Sequence, residues 1–284
     1  MKKAIVILLS LALMAAMFTG CIDLRPRERL GNLEFVRSDD GESYTLVGFR
    51  NVAGQHVLAI PDEVNGLPVT AIGPMAVQRA DDLRRIEIGP NLVEINRWGI
   101  VNNRFLREIS VSEDNPAFVS LDGVLFSHDM TRLIVYPNAN TAIYIDGELQ
   151  ATVSYTVPEG VEVIAHAAFY FALALHEVVL PQSLREIETR AFHGAENLEH
   201  INLPEGLERI GNDAFLKARS LTQITIPSTL RYIGDFAFYQ ADSLLDITIL
   251  APEAQLEQGR RWLPETGPLS AVEPIWETGE ESYE

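Results

Sequence analysis

The chain carries a single cysteine, Cys21, among its 284 residues. One thiol permits no intrachain disulfide and no cysteine-based metal site. Cations are scarce as well: 22 Lys and Arg stand against 40 Asp and Glu, a formal charge of −18. Such a surface repels phosphate backbones and anionic headgroups, so nucleic acid is excluded as the expected partner. Catalytic signatures are also missing, with no G-x-S-x-G, no P-loop, no G-x-G-x-x-G and no H-E-x-x-H. The expectation is therefore a protein without catalytic residues, cofactor or metal. The six histidines, His56, His128, His166, His176, His193 and His200, show no ligand spacing and read as surface residues. His176 and Glu177 begin a strand, where neighbours face opposite ways. Asp39-Asp40-Gly41 and Asp81-Asp82 lack the spacing of a calcium loop and read as turn or solvent positions.

One apolar run stands out, from Ala4 to Phe18, interrupted only by Ser10 and preceded by Lys2 and Lys3. It is shorter than the ~20 residues of a spanning helix and fits the core of a signal peptide over 1–20. Phe18-Thr19-Gly20-Cys21 then resembles a bacterial lipobox, with Phe18 where Leu is usual. The resemblance implies cleavage after Gly20 and thioether lipidation of Cys21. An exported protein follows, lipid-anchored to the bacterial cell membrane or outer membrane and exposed at the surface.

What the sequence has in abundance is repetition. Pro158, Pro181, Pro204 and Pro227 lie 23 residues apart. Between them Val161, Leu184, Leu207 and Leu230 form one column, and Ile164, Ile187, Ile210 and Ile233 the next. The pairs Ala168-Phe169, Ala191-Phe192, Ala214-Phe215 and Ala237-Phe238 follow, then Ala172, Ala195, Ala218 and Ala241, then Leu175, Leu198, Leu221 and Leu244. Each unit closes on two alternating apolar residues, as in Ile224 and Ile226. Upstream the spacing persists with erosion through Ile72, Leu83, Ile86, Ile88, Ile95, Leu106, Ile109 and Val111, giving six clear units.

The closing segment alternates apolar and polar residues, the strand period with one face buried. A proline, which has no N–H to donate, ends the ladder. In the middle segment Ala214, Phe215 and Ala218 fall at helical spacing after Asn212-Asp213, which predicts a short helical turn. Gly211 and Gly234 sit where the chain must bend into it. No unit buries its apolar set alone. Each Leu, Ile or Phe gains roughly 1.5–3 kcal/mol only when a neighbouring unit covers it.

The unit, P-x-x-L-x-x-I-x-x-x-A-F-x-x-A-x-x-L-x-x-I-x-I, resembles the BspA-type leucine-rich-repeat family of bacterial surface proteins, over about residues 33–249. Ala172, Ala195, Ala218 and Ala241 stand where that family often has Cys. The expected fold class is thus α/β and β-rich: a right-handed leucine-rich-repeat solenoid of 23-residue units with an N-terminal β-hairpin cap and a hairpin insertion. The expected boundaries are a signal peptide over 1–20, a lipid-anchor spacer over 21–30, a cap over 31–60, a solenoid over 61–249 with an elaborated insertion at 112–157, and a C-terminal cap and acidic tail over 250–284. The cap is read from Leu33-Glu34-Phe35-Val36 and Tyr44-Thr45-Leu46-Val47 around a turn. In the insertion, Asp122-Gly123 predicts a projecting hairpin. Asn65-Gly66-Leu67-Pro68 reads as a small loop. Leu256, Trp262 and Leu263 can close the last unit, and disorder is expected beyond Pro268. Leu263-Pro264-Glu265-Thr266-Gly267 has the form of a sortase signal, but no apolar stretch and basic tail follow it, so it reads as coincidence.

The remaining candidate is the concave ladder, where strand residues alternate away from the core: Arg85, Glu87, Glu108, Ser110, Glu177, Val179, His200, Asn202, Gln223, Thr225, Asp246 and Thr248. A mixed polar strip suits a protein or glycan partner better than a small apolar ligand. Tyr170, His193 and Tyr239 form a second column, read as exposed aromatic surface. The family resemblance implies an adhesin-like protein that binds an extracellular macromolecule. A structural or scaffolding lipoprotein of the bacterial envelope is the alternative. An enzyme using Asp114, Asp122, His128 and Asp129 of the insertion ranks last, for want of any nucleophile–base spacing.

Overall fold

The structure, a computed structural model, describes residues 25–140, 143–145, 148–151, 153–265 and 275–276. The signal peptide, Cys21 and the end of the sortase-like segment lie outside the described residues.

Repetition in the sequence becomes repetition in the backbone. The chain forms a β-rich solenoid of about nine stacked coils with ~23-residue spacing. On one side, the two-residue strands Val163–Ile164, Glu186–Ile187, Arg209–Ile210 and Tyr232–Ile233 pair in parallel, so that Ile164, Ile187, Ile210 and Ile233 stand in register. On another, Gln223–Ile226 pairs with Asp246–Ile249 from one coil to the next. Every apolar column points inward. The Ile column and the columns of Phe169, Ala172 and Leu175 are all fully buried. Phe169, Phe192, Phe215 and Phe238 stack almost parallel, with ring centroids 4.7, 5.1 and 4.9 Å apart. Tyr136 continues the stack at 4.9 Å on one end, and Trp262 closes it edge-on at 6.4 Å on the other. Leu256 and Trp262 are both buried there. The prolines occupy one position of successive coils, and each accepts a turn hydrogen bond from the residue three further on, as Pro204 does from Leu207 at 3.2 Å.

The helical turn expected in mid-unit is absent. That segment is a run of β-turns. In the coil after Gly211, Leu216 N–H donates to Asp213 at 3.1 Å and Ala218 N–H to Phe215 at 3.0 Å, both i→i+3 bonds. The intervening residues Asp213, Phe215 and Lys217 donate instead to Asp235, Ala237 and Tyr239 of the next coil, at 2.8, 2.7 and 3.0 Å. Alternation between the two partners needs a left-handed residue at each change. Ala167, Arg190, Asp213 and Phe236 supply one, with φ of 58°, 60°, 55° and 58°. Phe171, Gly194, Lys217 and Gln240 supply the other. A β-turn run and a helix share i, i+3 apolar spacing, which is why the pattern misleads. The α component of the expected fold class falls away, since no α-helix occurs among the described residues.

The N-terminal cap is an antiparallel hairpin of Leu33–Arg37 and Tyr44–Phe49. Arg27–Leu30, from the segment read as spacer, adds a third strand. Asp40 fixes the turn by accepting from the Ser38 hydroxyl at 2.6 Å and the Glu42 N–H at 2.9 Å. Tyr44–Phe49 then runs parallel to Leu67–Ile72, which joins the cap to the first coil. Asn65 and Gly66, with φ of 52° and 77°, turn the chain between Glu63–Val64 and Leu67–Ile72.

Asp122 and Gly123, with φ of 51° and 80°, connect Phe118–Leu121 to Val124–Ser127 as the turn signal requires. The hairpin does not project. Val124, Leu125 and Phe126 are fully buried, and the strand is a wall between two hydrophobic clusters. Val124 and Phe126 belong to the C-terminal core with Leu133 and Phe169, whereas Phe118 and Leu125 belong to the N-terminal core with Leu106 and Ile109. A strand covered on both faces is apolar without alternation, and Val-Leu-Phe is such a run. Beyond Pro268, where disorder is expected, Ile275–Trp276 pairs in parallel with Asp246–Ile249.

Candidate functional site

With the apolar columns inside, what remains on the strand face is the alternate set. The twelve residues of the expected strip fall mainly on three separate three-stranded sheets rather than one ladder. Val57–Ala59, Arg85–Ile88 and Glu108–Val111 form the first, with Glu108 beside Arg85 and Ser110 beside Glu87. Arg85 bridges two carboxylates there, 3.5 Å from Glu87 and 3.2 Å from Glu108. Val153–Thr156, Leu175–Val179 and His200–Ile201 form the second, with Glu177 beside His200. The Ser154 hydroxyl donates to Glu177 at 2.9 Å. Gln223–Ile226 and Asp246–Ile249 belong to the third, with Gln223 beside Asp246 and Thr225 beside Thr248. Glu108, Val179, His200, Asn202, Gln223, Thr225 and Asp246 are exposed, and the other five are half-buried.

The ladder is broken between the second and third sheets. No strand pairing joins His200–Ile201 to Gln223–Ile226, although the opposite side of these coils stays bonded through Arg209–Ile210 and Tyr232–Ile233. The coils part at this edge to leave a polar cleft of about 150 Å³. Glu199, His200 and Asn202 line one bank, and Gln223, Asp246 and Thr248 the other.

At the corner of the coil, strict alternation fails. Leu175 and Val178 are buried, and the two residues between them, His176 and Glu177, are both partly exposed. Val153 pairs with Leu175 and Ser154 with Glu177, so His176 is the extra residue of a β-bulge. A bulge re-aims a side chain. His176 Nδ1 comes to 3.6 Å from a Glu199 carboxylate oxygen, and its ring meets that of His200 edge-on at 5.2 Å. The sequence reading, which sends His176 and Glu177 to opposite faces, misses this group. Its available signal is that His176 and Glu199 are 23 residues apart and therefore adjacent in the stack.

The aromatic column is not exposed surface. Tyr170, His193 and Tyr239 are all half-buried. Tyr170 stacks on His193 at 5.0 Å and meets Trp98 edge-on at 5.0 Å. Trp98 also abuts His166 at 4.5 Å. Burial pushes His193 down to about 4 and lowers His166 as well. A cavity of about 210 Å³ lies on one side of Trp98, lined by Arg97, Arg132, His166 and Glu188. A second of about 270 Å³ lies on the other, lined by Arg79, Tyr170 and Arg190. Nothing in the sequence marks Trp98, because it comes from an eroded unit and falls in none of the apolar repeat columns.

In the insertion, the residues weighed for catalysis serve turns. Asp129 accepts from the Ser127 hydroxyl at 2.7 Å, the Thr131 hydroxyl at 2.9 Å and the Thr131 N–H at 3.1 Å. These hydrogen bonds, led by that from Ser127, hold its carboxyl below the usual carboxylate range. Asp122 occupies the hairpin turn.

Residues 149–258 match, in six copies, a family model described as the BspA type leucine rich repeat region. No curated protein matches the chain. Among solved structures, a leucine-rich repeat protein from Eubacterium ventriosum is 14% identical, with 83% of each chain covered and a TM-score of 0.55. A leucine rich cell surface protein from Faecalibacterium prausnitzii is 20% identical over 87% of this chain and 76% of that one, at a TM-score of 0.45. The pneumococcal vaccine antigen PcpA is 18% identical over 83% of this chain and 85% of that one, at 0.47. The likeness to the Eubacterium protein establishes a shared fold and nothing finer.

Proposed function

We propose that this protein is an exported, lipid-anchored surface module of a bacterial cell, and that it binds an extracellular protein or glycan along its strand face. The observation that carries the reading is the division of each coil. Its apolar columns are consumed by the neighbouring coils. The alternate residues Glu177, His200, Gln223, Thr225 and Asp246 are left at fixed spacing with no structural duty in the core. A polar face on a rigid stack, interrupted here by the cleft between the second and third sheets, is the form of surface with which solenoids engage extended partners. The match of residues 149–258 to BspA type repeats supports the same reading. Cys21 is its anchor and sole lipidation site, and no cofactor takes part.

Crosslinking on live cells, followed by capture with the 25–276 body, tests the proposal. A saturable partner is expected. Its affinity should fall at least tenfold on charge reversal at Glu87, Glu177 and Asp246 together, because repulsive juxtaposition costs more than a lost surface pair. Binding unaffected by the triple reversal would end the strand-face reading. A partner recovered only from the producing cell's own envelope would move the protein to the scaffolding role. Retention of a Cys21→Ala chain on the membrane after export would end the lipid-anchor reading.

A further inference from the structure

We infer that His176, Glu199 and His200 form a binding site for a divalent transition-metal ion of the zinc class. One imidazole nitrogen from each histidine and one carboxylate oxygen all lie within 4.8 Å of one another. A tetrahedral zinc ion with bonds of about 2.0–2.1 Å holds its ligands roughly 3.3 Å apart, so the side chains must close by about 1.5 Å. All three are at least partly exposed, and rotamer changes at the surface supply that movement.

The backbone beneath them is fixed. Glu199 N–H donates to the His176 carbonyl at 2.9 Å, and Glu177 is the strand partner of His200. His176 and His200 therefore stand on two adjacent bonded strands, with Glu199 held immediately before the second, the kind of rigid support a metal site requires. The bulge at His176 is the decisive feature. It breaks the alternation that would otherwise turn this ring away from its neighbours. Two imidazoles and one carboxylate favour zinc, nickel or copper over calcium or magnesium, which take all-oxygen sets. The formal charge of −18 draws cations of any kind, so ligand chemistry and not overall field must confer the selectivity.

Three protein ligands leave one tetrahedral position open. Glu199 and His200 are also on the bank of the cleft between the parted coils. A bound ion would thus stand at the mouth of that cleft, on the face proposed above for partner binding. Ion binding itself requires no partner, so the two proposals fail separately.

Calorimetric titration of zinc into the metal-stripped full chain tests the site. One ion per chain is expected, with binding weakened at least tenfold in His176→Gln and abolished in His176→Gln/His200→Gln. His56→Gln, remote from the cluster, should bind as the parent does. Equal binding by parent and double variant overturns the proposal, as does failure of the parent to bind. Surface glutamines leave the core untouched, and a variant melting with the parent in the absence of metal confirms that it is folded. An independent readout is the parent's NMR spectrum. Zinc should shift the imidazole resonances of His176 and His200 and leave those of His56 and His128 in place. Movement of all six together would mean nonspecific adsorption and would overturn the site.

Discussion

His193 stacks on Tyr170, with a buried Nδ1 that finds no hydrogen-bond partner among the described residues. Burial is the main cause of its depressed titration, from 6.5 to about 4. Between those two values the unfolded chain takes up a proton that the folded chain refuses, so stability falls as pH drops through that window. Above 6.5 the contribution is fully present. His166 shifts in the same direction for the same reason and adds to the loss. Leu216 occupies the equivalent position one coil later, so His193→Leu is sterically compatible with the stack. Urea midpoints at pH 7 and pH 5 should differ less in His193→Leu than in the parent. An unchanged pH dependence would mean that His193 titrates alike in the folded and unfolded chains.

At the scale of the element, Gly211 distinguishes a turn run from a helix. A Cβ there would collide with the backbone of Glu188 and Thr189 in the preceding coil. In a helix, glycine to alanine is stabilising by roughly 0.5–1 kcal/mol. Here Gly211→Ala should instead destabilise by more than about 1 kcal/mol, since neither backbone can yield without breaking ladder bonds. Thermal or urea unfolding reads the sign directly. The glycine's place at a bend was legible from the sequence, but its reason was not. The bend needs no unusual dihedral, only closeness to another coil. The left-handed positions were equally illegible. Ala167, Arg190, Asp213 and Phe236 share φ near 60° without a glycine or asparagine among them to announce it. What imposes that conformation is the alternation of donors between the turn and the next coil, a tertiary demand that no local propensity records.

For the molecule as a whole, the sequence discloses most where spacing is rigid. Eight columns over four units dictated which side chains are buried, and all of them are. It discloses least at the interruptions. The parted edge between His200–Ile201 and Gln223–Ile226 lies inside perfectly regular repeats, so nothing in the column pattern marks it. The hairpin is legible from its turn, but its place is not, because a strand with two buried faces looks like an apolar insertion of any kind. Its neighbours offer a test. Leu125→Ala should speed amide exchange chiefly in coils N-terminal to the hairpin, and Phe126→Ala chiefly in coils C-terminal to it. Each deletion of buried volume should cost about 2–5 kcal/mol. Equal loss of protection throughout from either change would mean that the two cores open as one.

The hairpin wall also gives the chain a direction of assembly. A growing polypeptide presents its amino-terminal coils first. Those coils stay open at their leading end until Phe118 and Leu125 arrive to seal them. The same two strands carry Val124 and Phe126 on their other surface, ready before Phe169 has been made. Once closed, the earlier half thus presents a finished apolar surface against which the later half can pack, whichever compartment the chain folds in.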